Sequence, residues 1–114
     1  MTFDSRDRLP LTFDRSFRPW SYGVTHRRLV LSTGLPGKNT EFEVEFLDVL
    51  AMRLRFRFDR LLITEAGRRP EIEEFVELPE RHDDKYLRLS LSDGRHEGFV
   101  VCGAIHVREH PPTE

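Results

Sequence analysis

A chain of 114 residues, 38% apolar and 33% charged, is the size of one domain and too short to bury two cores, so residues 1–114 are expected to fold as a single unit. Its nine phenylalanines supply core material that a disordered chain lacks. A formal charge of −2 excludes a global pull toward nucleic acid or an anionic membrane.

The opening MTFDSRDRLPLTFDR places acids and arginines where a signal peptide needs an apolar stretch, and the single Cys102 cannot close an internal disulfide. Both point to the cytoplasm. The longest apolar run, residues 99–105, is far below the roughly 18 to 20 residues that cross a bilayer, so no membrane partner is expected.

In chain order, RPWSYGVT reads as a strand through Trp20, Tyr22 and Val24, and HRRLVLST as one through Leu29 and Leu31. After the loop TGLPGKNT the period of two is plain. Phe42, Val44 and Phe46 alternate with Glu41, Glu43 and Glu45, and LAMRLRFRF continues with Leu50, Met52, Leu54, Phe56 and Phe58 against Arg53, Arg55 and Arg57. This apolar face is broken only at Asp48. A reversal near residues 47–49 would make a hairpin pairing Glu45 with Arg53, Glu43 with Arg55 and Glu41 with Arg57, each worth a few tenths of a kcal/mol. LDV lacks the Asn-Gly or Asp-Gly of a tight turn, which leaves one bent strand as the alternative.

Further on, RLLITE is a short strand. PEIEEFVEL, residues 70–78, is the single helix: Pro70 suits a first helical position, Glu71 and Glu73 favour its N-terminal end, and Ile72, Phe75 and Val76 share a side. KYLRLSL then leads through Asp93-Gly94 into GFVVCGAIHVREH, a hairpin signal. The elements predict a mainly β domain, an antiparallel sandwich or barrel of about seven strands with a short helix near 70–78.

Most of the chemistry suggested by residue type fails on spacing. In HEGFVVCGAIHVREH, Cys102, His106 and His110 share a strand face but stand about 13 Å apart in succession, too far to hold one metal ion or to form a Cys–His dyad. Phe99, Val101, Ile105 and Val107 are expected in the core. Nucleotide-binding, nucleophile-elbow and zinc-helix motifs do not occur in the sequence, so no catalytic residue, metal or other cofactor is predicted and the reading leans away from an enzyme. The glutamates at 41, 43 and 45 read as a solvated stripe. Because Arg53, Arg55 and Arg57 point away from Phe56 and Phe58, RLRFRFDR argues against nucleic acid, where stacking aromatics must share a surface with the charge.

Two candidate surfaces survive. One is the acidic segment EIEEFVELPERHDD, whose Glu73, Glu74, Glu77, Glu80, Asp83 and Asp84 form a negative surface suited to steering a basic protein partner. The other is an aromatic-polar patch of Trp20, Tyr22 and His26 that would serve a small-molecule binding barrel, or an enzyme pocket. Homo-oligomerisation is left open by either.

FRPWSYGVTHRRLVLS, the Gly/Asn loop, EFEVEFLDVLAMRL and GFVVCGAIHVRE together resemble a family of small uncharacterised bacterial proteins common in actinobacteria. The likeness implies a bacterial cytosolic β-rich domain and transfers no catalytic residue. The acidic segment on a small cytosolic domain favours a non-enzymatic interaction domain, most concretely an immunity- or antitoxin-like inhibitor of a basic partner.

Overall fold

The computed structural model describes residues 2–4, 9–34, 42–76 and 85–109. Its elements are β1 (Thr2–Asp4), β2 (Leu11–Phe13), β3 (Arg18–Gly23), β4 (Arg28–Ser32), β5 (Phe42–Leu47), β6 (Ala51–Arg53), β7 (Leu61–Glu65), α1 (Pro70–Val76), β8 (Leu87–Ser92), β9 (Glu97–Cys102) and β10 (Ala104–Glu109). They form two five-stranded antiparallel sheets, ordered β1-β10-β5-β4-β3 and β2-β7-β8-β9-β6. The fold is thus mainly β, an open two-sheet sandwich with one short helix rather than a closed barrel.

Alternation sets the two inner faces. Leu29 and Leu31 of β4, Val44 and Phe46 of β5, and Ile105 and Val107 of β10 pack on Leu61, Ile63, Leu87, Leu89, Leu91, Val100 and Cys102 of the other sheet. Phe17 and Phe58 join the same core through an isolated bridge whose two backbone hydrogen bonds are both 2.8 Å. Phe13 lies edge-on to Phe17 with ring centroids 5.2 Å apart.

β9 is buried on both sides. Val100 and Cys102 face the sandwich core, whereas Phe99 and Val101 belong to a second cluster with Ala51 and Ile72 of α1. Double burial explains why GFVVC reads as an unbroken apolar run.

Residues 41–58 do not form the expected hairpin. β5 lies in the first sheet between β10 and β4, and β6 in the second beside β9. The chain bends between them, close to the bent-strand alternative, at Asp48 with φ 55°. Opposite the bend, GFVVCGAIHVREH likewise divides into two strands, at Gly103. The two crossings lie side by side: Ala104 pairs with Leu47 on one sheet and Val101 with Ala51 on the other. Between these pairs, Gly103 N–H donates to the Leu47 carbonyl at 2.9 Å and Leu50 N–H to that of Val101 at 2.8 Å. A paired ribbon therefore turns the corner from sheet to sheet with these hydrogen bonds intact.

The corner overturns three expectations. Glu43 and Glu45 stand opposite Ser32 and Val30 on one side and Arg108 and His106 on the other, not opposite arginines 53 and 55. Glu45 is buried, not solvated, and its carboxylate pairs with Arg28 and, at 3.6 Å, with Arg108; Glu41 lies outside the described residues. Finally, Phe56 is 84% exposed. Beyond Arg53 the chain leaves the sheet, so the alternation that carried Phe46 inward no longer governs Phe56.

Candidate functional site

Helix α1 covers the outer face of the second sheet. Ile72 is buried and Val76 half-buried over Ala51, Phe99 and Val101, which supplies the apolar burial that a seven-residue helix needs to persist. Two ion pairs fix its pose. Arg69 before the helix meets Glu97 of β9, and Glu73 takes a bidentate bond from Arg88 of β8, through Nε to Oε1 and through Nη2 to Oε2 at 3.2 Å.

Glu73 is therefore committed to the fold. Glu71 and Glu74 remain exposed, and Phe75, expected to turn inward with Ile72 and Val76, is 65% exposed. Its ring rests edge-on against Phe99 with centroids 5.7 Å apart at 80°. The outward surface of α1 thus carries an aromatic ring beside exposed carboxylates. The other predicted acidic positions, Glu77, Glu80, Asp83 and Asp84, lie outside the described residues.

Trp20 and Tyr22 lie on β3, an edge strand of the first sheet, and His26 in the turn that follows. All three are exposed. A register shift between Pro19 and Ser21 makes Trp20 the extra residue of a bulge, a common device for blunting an edge against unwanted pairing. A shallow open depression elsewhere is lined by Leu9, Pro10, Thr64 and Glu65, and includes none of the three.

The corner holds a polar cluster built from residues far apart in the sequence, Arg27, Asp48 and Tyr86. Asp48 pairs with Arg27, itself at φ 48°, and accepts a hydrogen bond from the Tyr86 hydroxyl at 3.0 Å. That bond, with burial and the charge of Asp48, raises the Tyr86 pKa above its ordinary value. Its sequence signal was Asp48 itself, the one break in the apolar face from 42 to 58.

Cys102 and His106 are separated by the corner. Cys102 is fully buried in the sandwich core, whereas His106 alternates with core residues Ile105 and Val107 and so lies on the outer face of the first sheet. His110 lies outside the described residues. Among those described, no group of three or more His, Cys, Asp or Glu is placed to hold a metal ion.

Burial pushes the Cys102 thiol up to about 12, so it is a poor nucleophile near neutrality. The folded state favours the protonated thiol. Its contribution is thus complete below the unfolded pKa near 9 and is lost as pH rises toward 12, at up to about 1.4 kcal/mol per pH unit. Chemical unfolding across that window should show a decline in stability that Cys102→Ala makes shallower; an identical slope in the variant would contradict the buried-thiol placement.

Compared with protein-family models, curated proteins and solved structures, the chain matches none. No helix among the described residues is long and apolar enough to cross a membrane.

Proposed function

We propose that this chain is a non-enzymatic protein-interaction domain that uses the outer surface of α1 to bind a basic protein, most concretely as an immunity- or antitoxin-like inhibitor in a bacterial cytoplasm. The observation that carries this reading is Phe75. An aromatic side chain held 65% exposed beside the exposed Glu71 and Glu74 has the make-up of an interface anchor: an apolar centre to be desolvated, with charge around it to select the partner's sign. Glu77, Glu80, Asp83 and Asp84 extend the negative charge along the sequence.

The test is affinity capture from the native host, with wild-type protein and Phe75→Ala as parallel baits. One basic protein should be retained by the first and lost, or reduced about tenfold or more, with the second. Equal retention would remove the binding surface from α1.

A further inference from the structure

The exposed Phe56 stands in a different chemical setting. β6 ends at Arg53, opposite Phe99, and the chain then passes directly over Gly98, where a Cβ would collide with the Arg53 carbonyl oxygen and meet the Leu54 Cα at 3.6 Å. Only glycine permits that approach. The next turn, at 93–96, belongs to the same surface. Arg60 lies over Gly94, with Nη2 3.0 Å from where a Cβ would be, and the Asp93 carboxylate is close enough to feel the charge of Arg55.

Arg53, Arg55, Arg57, Arg60 and Arg95 are all exposed, as is Phe56 among them. The neighbouring acids Asp59 and Asp93 offset only part of the charge of these five arginines. Asp93 accepts hydrogen bonds from the His96 and Arg95 backbone N–H groups at 2.7 and 2.9 Å, which hold its carboxyl below the ordinary range. Asp59 lies 3.3 Å from Arg57, and Glu97 is taken by Arg69. No described carboxylate forms an ion pair with Arg53, Arg60 or Arg95.

We infer that this surface binds single-stranded nucleic acid, with a base stacked on Phe56 and the arginines holding adjacent phosphates. The ligand must present dense negative charge and a flat π-face together. An unpaired strand offers both, whereas a duplex keeps its base faces stacked on one another, and an acidic peptide matches the charge while leaving the ring unused. The sequence-based argument against nucleic acid placed Phe56 on an inward strand face away from the arginines; in the structure Phe56 lies beyond the end of β6 and is 84% exposed, between the exposed Arg55 and Arg57 in the chain. This site is separate in chemistry from the acidic surface of α1 and does not depend on it.

Fluorescence anisotropy at low salt with labelled oligothymidylate and oligoadenylate is the test, with the corresponding duplex and oligoglutamate as competitors. Wild-type protein should bind both single strands, and the logarithm of the association constant should fall against log salt with a slope of about −0.7 per arginine engaged. Phe56→Leu should weaken binding about tenfold or more without changing that slope, and Phe56→Tyr should retain it. Arg53→Gln with Arg55→Gln should reduce both affinity and slope. The site is refuted if wild-type protein does not bind either strand, if Phe56→Leu binds like wild type, or if oligoglutamate or duplex competes as well as single strand; success of the oligoglutamate would assign the surface to an acidic protein segment. Because Phe56 is exposed, thermal unfolding of Phe56→Leu should match wild type, so loss of binding reports the ring itself.

Discussion

Phe46→Ala is expected to destabilise the protein by about 3–5 kcal/mol, and Phe56→Ala by no more than about 0.5. The two positions lie ten residues apart on the same alternating stretch, and a strand or hairpin continuous through both would bury them alike. Phe46 is instead fully enclosed between the sheets while Phe56 is 84% exposed. Removing the Phe46 ring leaves a cavity lined by both sheets, against a total stability of roughly 5–15 kcal/mol for a domain of this kind. Removing Phe56 leaves no cavity. Urea unfolding of both variants beside wild type is the check, and similar losses would mean that the chain does not bend at Asp48.

A second contrast lies on α1, where Glu73→Lys should cost about 3 kcal/mol or more and Glu74→Lys less than about 0.5. The Arg88 side chain is only 8% exposed and the Glu73 carboxylate holds it through two hydrogen bonds. Reversing Glu73 removes a charge-assisted bidentate pair and sets a second cation against a buried one. Glu74 is exposed, and the described structure gives it no such role. Equal effects in thermal unfolding would show that the helix is rotated from its assigned pose. For the same reason Glu73 is unsuitable as a probe of partner binding, since its loss would act through the fold.

Features with a strong local cause were legible in the sequence. The alternation at 42–46 and 87–91, the Asp93-Gly94 turn and Pro70 each act within a few residues, and the corresponding strands, hairpin and helix formed where expected. The departures share a non-local origin. Whether residues 47–50 reverse or cross to another sheet depends on β9 and β10 making the matching crossing at Gly103, about 55 residues further along the chain. β2, three residues that among the described strands pair with β7 alone, was too short to carry a period. The candidate surfaces were legible as composition but not as exposure. Phe75 satisfies the spacing of a helix face yet emerges at its margin, because Ile72 and Val76 already cover Phe99 and Val101. Glu73 looked interchangeable with Glu74 until Arg88 was placed beneath it.

The proposed function requires that the charge and ring on α1 recruit a basic protein. With the captured partner purified, association kinetics of wild type and of Glu71→Lys with Glu74→Lys, at low salt and again near physiological salt or above, measure this directly. Long-range attraction between exposed charges is screened beyond about 8 Å at physiological salt. The double reversal is therefore predicted to slow association by about tenfold or more at low salt, with the difference shrinking as salt rises and dissociation changing little. Association rates equal to wild type at both salt concentrations would contradict the proposal that α1 is the surface meeting the partner.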